Sequence, residues 1–138
     1  MASKFQAGMR EAIAATSSIC TVDGAAGELR FRGYDIADLA AKSSFEEVTA
    51  LLWDGELPDA RSLRAFSDSL AAARAVPQPV LDAMPSYPSR AHPIEALRAA
   101  LSVHAMHDPD TKSNAADVNR RKSVRLTAQT ATLVAAWA

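Results

Sequence analysis

The sequence predicts a mainly α-helical fold with one short N-terminal β-hairpin. Three observations carry this. Apolar residues make up 49% of the chain but aromatics only 6%, with alanine the commonest residue, a mixture suited to closely packed helices. Only one stretch alternates as a strand does: Leu29 and Phe31 are apolar, Arg30 and Arg32 charged. After Gly33, which tolerates an abrupt change of direction, apolar residues recur at helical spacing to the end.

The elements follow in order. In the first sixteen residues, Met9, Ala12 and Ile13 are placed to line a short helix or an arm across a neighbour. Ser18 to Arg32 reads as the hairpin: Ile19-Cys20-Thr21-Val22 is rich in β-branched residues, Asp23 to Gly27 is a turn, and Glu28 to Arg32 returns. Tyr34-Asp35-Ile36 opens a helix with Asp35 as N-cap, running to Lys42 with Ile36, Leu39 and Ala40 inward. Ser44 and Glu47 have capping-box spacing at the head of a second helix. Its stripe is Phe45, Val48, Leu51 and Leu52, and Gly55 suits its left-handed end. Asp59 caps a longer helix to about Val76, with Leu63, Phe66, Leu70 and Ala73 inward and Pro77 as its stop. Val80 to Met84 gives one turn between Pro79 and Pro85, and Ser86 to Ala91 is loop. Pro93 starts a helix with Ile94, Leu97, Leu101 and His104 along one face, ending near Asp108-Pro109.

After a polar loop, the last helix runs from Asp117. Leu126, Leu133, Val134 and Trp137 form an apolar face, and Ala128, Ala131, Ala135 and Ala138 an adjoining stripe of small residues that lets helices approach closely. Leu51, Leu52, Phe66, Leu70, Leu97 and Leu101 are the expected core. The helix stops at Trp137-Ala138 without Gly, Asn or Pro, which suggests a truncated chain; a native end that frays is the alternative.

Composition narrows function. The 138 residues suit one domain. A net charge of −1 argues against a large nucleic-acid footprint. The single cysteine, Cys20, excludes an internal disulfide and a CxxC metal site; it reads as a buried structural thiol. No apolar run is long enough for a membrane span, and the first ten residues lack the apolar core of a secretion signal, so a cytoplasmic protein is expected.

Few residues invite chemistry. His104, His107 and Asp108 are the best local cluster for a metal, but the ordinary reading is that His104 packs and His107 decorates a helix end. His92 caps or packs, and Arg30 and Arg32 are outward charges or an anion site. Arg120-Arg121-Lys122, with Arg125, is less ordinary. It occupies the first turns of the last helix, where the macrodipole disfavours cations by about 0.3–1 kcal/mol each, so an anionic partner would offset that cost. A solvated helix face is the alternative.

Several segments together carry a family resemblance. They are Thr16-Ser17-Ser18-Ile19, Asp23-Gly24, Gly27 to Ile36, Ser44 to Val48, Leu51-Leu52-Trp53 with Gly55-Glu56-Leu57-Pro58, and His92 to Arg98. In order and approximate spacing they resemble the N-terminal part of citrate synthase, in the large domain. The resemblance covers nearly all of this chain and well under half of the family's. It implies a mainly helical homodimer that joins the acetyl group of acetyl-CoA to oxaloacetate, releasing citrate and CoA, with no covalently bound cofactor and no metal. The family's two catalytic histidines and its aspartate lie beyond the equivalent of Ala138, so no catalytic residue is assigned and this chain alone is expected to be inactive. Arg120 and Arg121 are the candidate contacts to the CoA phosphates, while Ala7 falls where the family's other N-terminal CoA arginine stands. The resemblance places the helices 93–107 and 117–138 at the dimer contact. The competing readings are a stand-alone helical dimerisation module without catalysis, and a small anion- or CoA-binding regulator.

Overall fold

The computed structural model describes residues 17–138. Mainly helical structure is observed: six α-helices and one small antiparallel sheet among the described residues. The described residues fall into two compact units that divide between Asp59 and Ala60. The reading of residues 9–13 as a helix or arm lies outside the described residues.

In the first unit, β1 (Cys20–Asp23) and β2 (Glu28–Phe31) pair antiparallel, with Cys20 opposite Phe31 and Val22 opposite Leu29. Asp23 Oδ1 accepts from the backbone N–H of Ala25 and of Ala26, both at 3.0 Å, which folds the turn between them. The alternation read from sequence is present on β2: Leu29 and Phe31 are half-buried, Glu28 and Arg30 exposed. β1 departs from it. All four of its residues are exposed, so Cys20 is a surface thiol and not a buried one.

A third strand, β3 (Tyr34–Asp35), stands where the helix was expected to open. Arg32 and Gly33 have φ of 50° and 91°, the paired left-handed conformation of a two-residue hairpin turn, which folds Tyr34 back opposite Phe31. Arg32 is held in this costly conformation at its other end. Its Nη1 donates to Ser18 Oγ at 2.7 Å and its Nη2 to the Leu52 carbonyl at 3.0 Å. Arg30 pairs with Glu28 at 3.1 Å.

Asp35 then caps α1 (Ile36–Lys42), accepting from Ala37 N at 2.8 Å. Ser44 and Glu47 form the reciprocal capping box on α2 (Phe45–Asp54), and Gly55 closes it at φ 93°. The apolar stripes are narrower than expected. Leu39 and Leu51 are buried, but Ile36, Ala40 and Phe45 are exposed, Phe45 to 66%. One position of α1, Leu39, and two of α2, Ala50 and Leu51, are buried.

In the second unit, α3 (Ala60–Ala72) ends four residues before Val76. Val76 precedes Pro77, where the helical conformation is disfavoured. Two carbonyls of the segment that follows α3 are taken up from the last helix: Thr132 Oγ1 donates to Arg74 O at 3.1 Å, and Gln129 Nε2 to Ala75 O at 2.6 Å. Next come α4 (Gln78–Ala83) and a short 3-10 turn (Met84–Ser86), each with a proline in its first turn where no N–H is needed. α5 (Pro93–His107) and α6 (Ala116–Trp137) pack on each other, and α6 also packs on α3. On α5, Ile94 departs from the expected face and is exposed.

The core of this unit is Val80, Met84, Ala100 and Leu133, flanked by half-buried Leu97, Leu101, Tyr87 and Trp137. Tyr87 and Trp137 stack obliquely with ring centres 6.1 Å apart. Leu70 is buried, whereas Phe66, like Leu52 in the first unit, is half-buried. The phase of α6 corrects the sequence reading. Ala128, Gln129 and Leu133 face inward, while Leu126, Ala131, Val134 and Ala135 face out. The polar Gln129 hides this phase in the sequence, because its hydrogen bond to Ala75 O lets an amide occupy a core position. The small residues buried in this unit are Ala96 and Ala100 of α5 and Ala128 of α6. No helix among the described residues is long and apolar enough to cross a membrane.

Candidate functional site

The charged elbow between α5 and α6 gathers most of the residues that the sequence singles out. Asp108 ends α5, and residues 108–115 form the loop that leads into α6. Thr111 Oγ1 lies 2.7 Å from the Ala105 carbonyl and 2.8 Å from that of Asp108, so its one proton is shared between them, and Thr111 N also donates to Asp108 O at 3.2 Å. Asp110 N donates to Asp108 Oδ1 at 2.8 Å, so the two carboxylates project together toward α6.

Three turns of α6 answer them. Arg125 Nη2 donates to Asp108 Oδ1 at 2.8 Å, to Asp108 Oδ2 at 3.0 Å and to Asp110 Oδ2 at 2.9 Å. Arg121 Nη1 bonds Asp117 Oδ2 at 2.8 Å, and its Nε lies 3.8 Å from Asp110 Oδ2. Lys122 Nζ donates to the Ser113 carbonyl at 2.6 Å. The Arg120 guanidinium lies 5.7 Å from the centre of the Phe66 ring, a cation–π distance. The dipole cost that these cations carry at a helix N-terminus is therefore met within the chain, by Asp108, Asp110, Asp117 and a loop carbonyl.

The pairs differ in environment. The side chain of Asp108 is 6% exposed and that of Arg125 26%, so their contact is largely shielded from water. Burial by itself pushes the Asp108 carboxyl up, but the Arg125 hydrogen bond, the Asp110 N–H and the Arg125 charge together hold it below its ordinary value. Arg125 is raised in turn, first by the hydrogen bond to Asp108. The Arg121–Asp117 pair lies in water, with side chains 53% and 73% exposed. The Arg121 hydrogen bond lowers Asp117, and Asp117 raises Arg121.

The remaining candidates take structural posts. His92 caps α5: its Nδ1 accepts from Ile94 N at 3.3 Å, while Glu95 Oε2 accepts from His92 N at 3.1 Å. His104 is 3% exposed, packed on the inward face of α5, and His107 is exposed at the helix end. Among the described residues no group of three His, Cys, Asp or Glu side chains is placed to hold a metal. Arg120 and Arg121 share one end of α6 but have different neighbours, an aromatic face for one and a solvated carboxylate for the other.

The Arg125–Asp108–Asp110 cluster is the feature that sequence reasoning missed. In the sequence Arg125 belongs with the basic run and Asp108 with the histidines. The signal was present in Asp108-Pro109-Asp110, an acidic pair just before a basic helix start, with proline holding the chain out of helix between them.

Comparison with known proteins gives the family. A family model described as "Citrate synthase, C-terminal domain" matches residues 8–138. A citrate synthase of Acidithiobacillus ferridurans is 40% identical, over 96% of this chain and 36% of its own length. A 2-methylcitrate synthase of Mycobacterium tuberculosis is 38% identical, over 93% of this chain and 32% of its own. The crystal structure of citrate synthase from Thermotoga maritima superposes with a TM-score of 0.83 at 32% identity, over 96% of this chain and 34% of that one. The chain thus spans about a third of the length of the relatives it matches. With the motifs of residues 16–98, the helical fold and a family match over almost the whole sequence in agreement, the chain belongs to the citrate synthase family.

Proposed function

We propose that this chain is the N-terminal segment of a citrate synthase-like acyltransferase, whose whole form joins acetyl-CoA and oxaloacetate to give citrate and CoA. In this reading the segment supplies scaffold and is inactive by itself. The observation that carries it is the family match over residues 8–138 at about a third of the relatives' length. The histidines present agree with it: one caps a helix, one is packed inside and one decorates a helix end. Mixing the chain with acetyl-CoA and oxaloacetate and reading free CoA thiol tests it, and no release above the protein-free rate is the expected result.

Arg120 and Arg121 are proposed as contacts to the CoA phosphates. Arg121 is suited because its partner is a solvated carboxylate that a phosphate can replace, whereas the shielded Arg125 pair is committed to Asp108. Titration of CoA into the chain reads this contact, and Arg121→Met weakens binding while Arg61→Met does not.

The proposed assembly is a homodimer through α5 and α6. The outward face of α6, with Leu126, Ala131, Val134 and Ala135, offers an apolar, small-residue surface for isologous packing. That same face favours the second reading, a stand-alone dimerisation module. Light scattering at tens of micromolar decides the association itself: Ala131→Glu would bury an unpaired charge at the contact and yield monomers.

A further inference from the structure

We infer that the open edge of β1 is a second association surface, built to pair antiparallel with β1 of another copy of this chain about a two-fold axis at Thr21. The inference is independent of the helical contact proposed above.

The ladder geometry sets the positions. Arg32 N donates to Ile19 O at 2.9 Å, so Ile19 directs its ladder groups toward β2. Backbone direction alternates along an antiparallel strand. Thr21 and Asp23 therefore also face β2, and the N–H and C=O of Cys20 and Val22 face the open side. Among the described residues β1 has a neighbour on that one side only. The edge lacks the usual protection: from Ser17 to Val22 there is no charge and no proline. Val22 is 70% exposed, and Cys20 is exposed beside it.

The register centred on Thr21 pairs every outward group of β1 within the strand itself, whereas centring on Cys20 or Val22 would set one outward residue against Ser18 or Gly24. With Thr21 opposite its mate, Cys20 of each strand faces Val22 of the other, and the four outward groups of each strand meet in four hydrogen bonds. Side-chain rows then match across the joint. Residues paired across strands share a sheet face, so Leu29, Val22, the mate's Cys20 and the mate's Phe31 form one continuous apolar row. The axis repeats that row in reverse. On the opposite face, Arg30 and Thr21 meet the mate's Thr21 and Arg30. At each end of the joint, Glu28 and Asp23 lie in the same row as the mate's Ile19 and Arg32. A shift by one residue would set Val22 and Cys20 against polar side chains and lose this match.

Crosslinking reads the register. Thr21 and its mate are a non-hydrogen-bonded pair, whose Cα atoms lie about 4.5 Å apart. That lies within the roughly 4.4–6.8 Å that a disulfide spans. Thr21→Cys in a Cys20→Ser background is treated with oxidised glutathione, which takes up two protons and two electrons as the two thiols join. A covalent dimer on a non-reducing gel is expected. Asp23→Cys in the same background, opposite Ile19 of the mate, gives none. Adding Val22→Pro removes one outward N–H, leaves the β1–β2 ladder bonds in place, and abolishes the Thr21→Cys crosslink. Adding Ala131→Glu preserves it, which separates this surface from the α6 contact. Absence of the Thr21→Cys dimer, or equal crosslinking at Thr21→Cys and Asp23→Cys, overturns the proposal.

Discussion

Replacing Arg125 with methionine breaks the best-shielded ion pair among the described residues, and the structure sets the size of the effect. The substitution keeps most of the stem that packs along α6 and removes only the guanidinium. Asp108, 6% exposed, then loses both bonds from Arg125 and retains the Asp110 N–H. A fully buried pair broken on one side costs about 3–5 kcal/mol. Here the arginine side chain is 26% exposed and Asp110 24%, so water can re-enter beside the carboxylate. The expected loss is therefore that of a charged hydrogen bond, about 1.5–3 kcal/mol near neutral pH. Urea unfolding read by circular dichroism measures it. The sign with pH follows from Asp108, whose folded value is lowered. Its contribution is fully present above the unfolded value, near 3.8, and is lost as pH falls through the still lower folded value. Wild type and Arg125→Met should thus differ in stability at neutral pH and converge only as pH falls below the folded value of Asp108. A loss under about 0.5 kcal/mol at neutral pH, or a difference that persists unchanged in acid, would refute the shielded pair.

Two further substitutions test the helix phases and ends. Leu133→Ala, in the core beside Val80, Met84 and Ala100, should cost about 2–5 kcal/mol in urea unfolding, whereas Leu126→Ala on the outward face should cost under about 0.5 kcal/mol. Equal losses would mean that the α6 phase is wrong. Gly55→Ala should cost about 1–2 kcal/mol through its φ of 93° alone, since an added Cβ meets no heavy atom within 4 Å. A neutral result in thermal unfolding would show that the α2 end does not need the left-handed conformation.

What the sequence made legible was local. Asp35, Ser44, Gly55 and His92 act through bonds to residues within four positions, and Pro93 through its own fixed φ, so these helix ends could be read from spacing and are present in the structure. The packing was less legible because it depends on distant partners. Gln129 reads as polar surface until Ala75 O, 54 residues away, satisfies it and turns that face of α6 inward. Cys20 reads as a strand interior, yet β1 is an edge with nothing over it among the described residues. The third strand was hidden because Arg32 stands in a left-handed position usually given to Asn or Gly, and its bonds to Ser18 and Leu52 are non-local. At the elbow, the basic run was legible as charges at an unfavourable helix end. Its partners were not, because Asp108 and Asp110 reach Arg125 across 17 and 15 residues.

The chain is proposed to be citrate synthase scaffold without its own catalytic groups. The most direct test is the rate of CoA thiol release from acetyl-CoA with oxaloacetate, measured on purified wild-type chain and on His104→Ala, with the Thermotoga maritima enzyme as the active control. Release is expected from the control, and only the protein-free background from both forms of this chain. Turnover that scales with wild-type protein and disappears in His104→Ala would contradict it, and would make the histidine buried on α5 a catalytic group.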